Sequence, residues 1–96
     1  MSILVQFKLS HSSENTQVIK DFFTEILPDT RTFEGNISAH LFEKVQGQHE
    51  LVLLEEWQTP QHFDKYIAWR KEIGDFDQLG TMLSEAPNIV MLSKEV

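Results

Sequence analysis

Trp57, His62, Phe63, Tyr66 and Arg70 stand close together in the sequence, with Glu55 just ahead of them, and these residue types suit the handling of a small aromatic compound. An indole stacks on a ring while donating one hydrogen bond. A tyrosine hydroxyl can meet a phenolic oxygen, and a histidine takes up a proton near neutral pH. On that ground Trp57, Tyr66 and His62 are the candidate catalytic residues, and Glu55, Phe63 and Arg70 the candidate substrate contacts. Each has a plainer alternative. Trp57 can close the end of a strand as a core residue; Tyr66, with an ordinary pKa of about 10, is a poor base and a natural core-edge residue. His62 in the first turn of a helix is commonly solvated. Glu55 and Glu56 do not make a carboxylate pair, because neighbours on a strand point to opposite faces.

Two kinds of element must position these groups. Ile3, Val5, Phe7 and Leu9 alternate with more polar residues over roughly residues 2–9, the period-two pattern of a first strand. Val18, Ile19, Phe22, Phe23, Ile26 and Leu27 recur at helical spacing, and Pro28 is expected to end or kink that helix. The stretch from Asp29 to Glu34 offers a further turn before Gly35, with Arg31 and Glu34 spaced for a surface ion pair. A second strand is expected over about 36–45 and a third over Glu50–Trp57, joined by a polar hairpin connection through Gln46-Gly47-Gln48-His49. Thr59-Pro60 starts a second helix, the hydroxyl capping a free N–H and proline having none to leave unpaired. Its inner stripe is Phe63, Tyr66, Ile67 and Arg70, with Trp69 and Arg70 near a pocket entrance. Short helical pieces follow between Lys71 and Ala86, and Ile89-Val90-Met91-Leu92 reads as a buried last strand.

The order β-α-β-β-α-β is the ferredoxin-like arrangement, an α+β fold with a four-stranded antiparallel sheet and both helices on one face. Strand parity puts Leu51, Leu53, Glu55 and Trp57 on the face the second helix covers. The opposite face carries Leu4, Phe42, Val52, Leu54 and Val90 or Leu92 among the polar Gln6, Lys8, Ser38, His40 and Glu56. No third long helix remains to cover it, so a second copy of the sheet is the expected cover, giving a homodimeric α+β barrel with His40 packed at the interface. One domain over residues 1–96 is the reading, since a chain of 96 residues supports a single core.

Composition narrows the chemistry. The chain has no cysteine, so thiolate nucleophiles, disulfides and thiolate metal sites are out, and a net charge of −7 argues against a nucleic-acid partner. No apolar run approaches the ~20 residues of a membrane span. The N-terminus lacks the pattern of a secretory signal, which implies a cytoplasmic location. The four histidines have no metal-ligand spacing, and no glycine-rich phosphate loop or nucleophile elbow is present. No metal and no cofactor is expected.

The segments Thr30-Arg31-Thr32-Phe33-Glu34-Gly35-Asn36-Ile37 and Leu54-Glu55-Glu56-Trp57-Gln58-Thr59-Pro60-Gln61-His62-Phe63 resemble two regions of the antibiotic biosynthesis monooxygenase family. The resemblance covers nearly the whole chain. It implies a dimeric α+β barrel with a pocket between helices and sheet in each protomer, and a pocket-facing Trp57. It also implies oxidation of phenolic or quinol-type compounds by molecular oxygen without metal or flavin. Many relatives carry histidine nine residues after the strand-three tryptophan, where this chain has Tyr66. The asparagine and histidine of the haem-degrading branch have no counterpart, so haem is not the expected substrate. The function read from the sequence is therefore a cofactor-independent monooxygenase or oxidoreductase acting on a small aromatic or quinol-like compound. The alternative is a non-catalytic dimeric barrel that binds a small ligand or serves as an interaction module.

Overall fold

The computed structural model describes residues 2–47 and 49–96. Strand β1 (Ile3–Ser10) alternates as the sequence requires, with Ile3, Val5, Phe7 and Leu9 buried. After a short 3-10 turn, helix α1 runs from Thr16 to Thr32. It passes through Pro28, where the sequence pattern suggested an end or a kink. Pro28 is exposed and lacks only one N–H, whereas Thr30 two residues further is completely buried and hydrogen-bonded, so tertiary contacts hold the last turn in helical form.

Gly35 then reverses the chain at φ +88°, and its carbonyl accepts the Gln58 N–H at 2.8 Å. A Cβ at this position would overlap the His62 ring. Gly35→Ala is therefore expected to lose about 2 kcal/mol or more, combining the left-handed backbone with a steric clash. Urea denaturation measures it, and a loss under about 0.5 kcal/mol would contradict the assigned packing.

Strand β2 (Asn36–Glu43) is two residues shorter than expected, and β3 (Glu50–Trp57) has the expected bounds. They are antiparallel neighbours, with Phe42 opposite Val52 and Leu41 opposite Leu53. Gln48, part of the anticipated hairpin connection, lies outside the described residues. Arg31 does not pair with Glu34. Its Nε donates to the Ala39 carbonyl at 3.0 Å, tying the end of α1 to the edge strand β2.

Helix α2 (Pro60–Glu72) begins as its sequence dictates. The Thr59 hydroxyl accepts the His62 N–H at 3.2 Å, and Phe63, Tyr66 and Arg70 are buried. Gly74, at φ +88°, separates α2 from the short helix α3 (Asp75–Met82). Strand β4 (Asn88–Ser93) completes the sheet. The strand order is β2-β3-β1-β4 and every neighbouring pair is antiparallel, which is the ferredoxin-like α+β fold.

The core lies between the helices and one face of the sheet, and β4 departs from expectation. Ile89, Val90, Met91 and Leu92 are exposed by 37–47%, where a buried strand was anticipated. The reason is position: α1 packs over β2 and α2 over β3, while β4 is an edge strand beyond β1. Register places both Val90 and Leu92 on the face away from the helices, opposite Gln6 and Leu4 of β1. That face also carries Val52 and Leu54, and Phe42 on it is half exposed at 51%.

Candidate functional site

Glu55 is the charged residue that the sheet drives deepest. It sits mid-sheet between Val5 of β1 and Ala39 of β2 in register, on the helix-facing side, and is only 1% exposed. Trp57, two residues on along the same face, donates its indole N–H to Glu55 Oε1 at 3.1 Å. Burial pushes the Glu55 carboxyl up to about 7, against the smaller opposing effects of that hydrogen bond and of the Arg70 charge. A carboxyl that is half ionised near neutrality is suited to accept and return a proton.

Above Glu55 lies a polar group built from both long helices. Tyr66 and Arg70 are one turn apart on α2, and Arg70 Nε donates to the Tyr66 oxygen at 2.9 Å. Thr30, on the last turn of α1, lies 2.7 Å from the Tyr66 hydroxyl. That oxygen accepts from arginine, and in its contact with Thr30 Oγ1 either hydroxyl can be the donor. Arg70 Nη2 donates to Thr30 Oγ1 at 3.1 Å and to the Ile26 carbonyl at 2.9 Å, and Nη1 meets Asp75 Oδ2 at 2.7 Å. The guanidinium is 4% exposed and also lies 4.5 Å from the Trp69 ring centroid. The Tyr66 hydroxyl is held above its ordinary pKa, first by burial and then by the nearby Glu55, with the Thr30 and Arg70 contacts opposing. It stays a neutral hydrogen-bonding group and is not a base at neutral pH.

Four of these side chains border a cavity of about 30 Å³ between the sheet and the three helices. Glu55, Tyr66, Arg70 and Asp75 give it polar corners, while Phe7 and Leu53 from the sheet and Phe22, Phe23, Ile26, Ile67, Phe76 and Leu79 from the helices make its apolar walls. The volume holds a water molecule or two.

The six sequence-derived site residues divide in two. Glu55, Tyr66 and Arg70 meet at the cavity. Trp57 is not among the cavity walls and reaches it through Glu55 and Tyr66; its ring, fully buried, packs with Phe33 at 6.2 Å, Phe63 at 6.0 Å and Tyr66 at 4.9 Å. Phe63 fills the core against Phe7 at 6.1 Å. His62 is turned to the helix start, with Nδ1 at 2.7 Å from the Thr59 hydroxyl and its ring against Gly35, and is not among the cavity walls. Thr30 and Asp75 were missed as site residues. Thr30 continues the helical series Ile19, Phe22, Phe23, Ile26, Leu27, a signal that expecting an end or a kink at Pro28 hides. Asp75 carries no signal of its own, because only the turn at Gly74 brings it back to Arg70.

No group of three or more histidine, aspartate or glutamate side chains placed to hold a metal ion occurs among the described residues. No helix among them is long and apolar enough to cross a membrane.

A ferredoxin-like sheet with a buried carboxyl and a tyrosine-arginine pair beneath its helices defines a small α+β protein with an internal polar site. Residues 2–70 match the sequence model of the antibiotic biosynthesis monooxygenase family, and the chain belongs to that family. Among solved structures it is similar to Rv0793 from Mycobacterium tuberculosis, with 19% identity and a TM-score of 0.88, covering 100% of this chain and 97% of that one. A conserved protein from Methanosarcina mazei shares 22% identity at a TM-score of 0.90, covering 99% and 94% of the two chains. An antibiotic biosynthesis monooxygenase shares 15% at 0.84, covering 98% and 99%. At such identities the likeness is one of fold. No curated protein matches the sequence.

Proposed function

We propose that the protein is a cofactor-independent monooxygenase of a small phenolic or quinol-type compound, with Glu55 as the base. Membership of the family supports a monooxygenase role in general. The observation that carries the assignment is a carboxyl 1% exposed, with its pKa raised to about 7, on the wall of a largely apolar cavity beside Tyr66 and Arg70. In this reading Glu55 takes the phenolic proton, and the electron-rich anion then reacts with oxygen. A ring C–H becomes C=O, one oxygen atom enters the product, and the other leaves as water with the hydrogens of the C–H and the O–H. The substrate supplies all four electrons. Tyr66, held by Thr30 and Arg70, orients the substrate oxygen.

Oxygen uptake by the purified protein with a panel of hydroxyarenes tests this. Uptake matched one-to-one by quinone is expected, together with a loss of at least about hundredfold in kcat for Glu55→Gln, the scale of general-base catalysis. No uptake across the panel would sink the assignment. The second reading is a non-catalytic barrel used as a ligand-binding or interaction module, and the cavity volume favours its interaction-module form. About 30 Å³ is far below the roughly 150 Å³ of a cavity that holds benzene, so an aromatic substrate requires wall residues to move.

The active unit is proposed to be a homodimer joined through the open sheet face. Leu4, Val52 and Leu54 with the more exposed Phe42, Val90 and Leu92 form an apolar field that the chain's own helices leave uncovered. Light scattering at micromolar concentration is expected to give twice the chain mass of 11.2 kDa, and Leu54→Lys to reduce it to the monomer. A wild-type monomer overturns the proposal.

A further inference from the structure

Arg70 has three hydrogen-bonding edges, and their partners differ in how firmly they are held. Nε faces Tyr66 on its own helix, and Nη2 faces Thr30 and the Ile26 carbonyl on α1. The Nη1 partner is Asp75, the first residue of α3, immediately after Gly74 at φ +88°. Nothing packs within 4 Å of where a Gly74 Cβ would stand, and the turn before Asp75 is held by the Gly74 N–H, which donates to the Lys71 carbonyl at 3.2 Å, and by Lys71 Nζ 5.5 Å from the Phe76 ring centroid. The far end of α3 is tethered, by Asn15 Nδ2 to the Met82 carbonyl at 3.0 Å and by Ser84 N to the Ser10 carbonyl at 2.9 Å. Asp75 stands on the solvent side of the pair, its side chain 20% exposed against 4% for Arg70. Asp75, Phe76 and Leu79 also form one wall of the cavity, which is too small for an aromatic ring as it stands.

We propose that Asp75 is a stand-in for the ligand: its carboxylate occupies the place on Arg70 Nη1 that the anionic group of an aromatic acid takes when the N-terminal end of α3 swings outward. The argument is electrostatic. A neutral ring entering past α3 separates Asp75 from a guanidinium that is almost completely buried, leaving an uncompensated charge at low dielectric. A ligand carrying its own carboxylate or phenolate replaces the lost partner with a charge-assisted hydrogen bond at Nη1, the other two edges staying on Tyr66, Thr30 and the Ile26 carbonyl. Glu55, the other cavity carboxyl, makes no hydrogen bond to Arg70 among the described residues; its partner is the Trp57 indole. The preferred ligand class is thus a hydroxyaryl acid over the uncharged phenol. This rests on the cavity being the ligand site, and not on the oxygenase chemistry.

Isothermal titration with salicylate and with its uncharged relative salicylamide separates the possibilities, together with hydrogen exchange of residues 75–82. Salicylate is expected to bind at least tenfold tighter than salicylamide and to speed exchange across the first turn of α3. Asp75→Asn, which removes the competing charge, is expected to tighten salicylate about tenfold while changing salicylamide less than twofold. Asp75→Glu, which keeps the carboxylate, is expected to stay within threefold of the wild type for both and controls for misfolding. Equal affinity for the two compounds, weaker salicylate binding by a folded Asp75→Asn protein, or no binding of either compound by any variant overturns the proposal. Salicylate binding with this pattern but no oxygen uptake on hydroxyarenes leaves it standing and sinks the monooxygenase assignment alone.

Discussion

Replacing Arg70 by methionine is expected to destabilise the fold by about 3–5 kcal/mol, the usual consequence of removing one partner of a buried ion pair. Methionine keeps much of the arginine stem, so the loss reports on the guanidinium more than on volume. Four groups lose a donor together: the Tyr66 oxygen, Thr30 Oγ1, the Ile26 carbonyl and the Asp75 carboxylate. The first three lie in the seam between α1 and α2, where water does not readily replace the missing bonds. At roughly 4–8 °C per kcal/mol for a domain of this size, the melting temperature should fall by at least about 12 °C. Thermal and urea unfolding followed by circular dichroism give the value. Arg70→Lys retains the charge but cannot serve all three edges at once, and should fall between the two. A methionine variant within about 1 kcal/mol of the wild type would mean that the network contributes little to stability.

Glu55→Gln should act in the opposite direction on stability, and only at the higher pH. The folded-state pKa lies near 7 against 4.5 for the free side chain, so folding favours the protonated form. The stability associated with that proton is complete below pH 4.5, declines as the pH rises toward 7 and levels off above it. A shift of this size corresponds to about 3 kcal/mol lost by the wild type between pH 4.5 and pH 8. Glutamine keeps an oxygen for the Trp57 N–H and cannot ionise. The variant should therefore gain on the wild type by about 3 kcal/mol at pH 8 while matching it within about 1 kcal/mol at pH 4.5. Urea denaturation of both proteins across that range isolates the Glu55 contribution, since all other titrating groups are shared. A constant difference between the two curves would show that Glu55 is not buried in its neutral form. The same ionisation should govern turnover, with kcat/KM of the wild type rising through an apparent pKa near 7.

Much of the fold was legible because each element carries a local signature. The bounds of β3, the Thr59-Pro60 helix start and the left-handed turn at Gly35 all follow from residue types whose backbone preferences are intrinsic. Parity on β3 also placed Glu55 on the helix-facing side, and helical spacing turned Tyr66 and Arg70 toward it. Where local rules failed, a distant contact had overruled them. Pro28 did not end α1, because Thr30 is anchored by Tyr66 and Arg70 from another helix. The apolar run in β4 looked buried, because hydrophobicity records a wish to be covered and not whether the same chain does the covering. For His62 the contact is local: its ring meets the Thr59 hydroxyl, three residues back at the start of its own helix.

The sequence by itself determined the order and kind of the elements, the two faces of the sheet and the residues from which a site could be built. Those properties depend on periods of two and of 3.6 residues and on the conformations open to glycine, proline and threonine, all of which act over a few positions. Tertiary structure alone decided which candidates meet. It put Glu55 where burial raises its pKa, drew Trp57 and Phe63 into the core, and packed the His62 ring against Gly35. It also brought Thr30 and Asp75, 40 and 5 residues away along the chain, onto one guanidinium. The reason is that desolvation and hydrogen bonding between elements depend on distances through space, which the folded chain sets and the spacing along it does not.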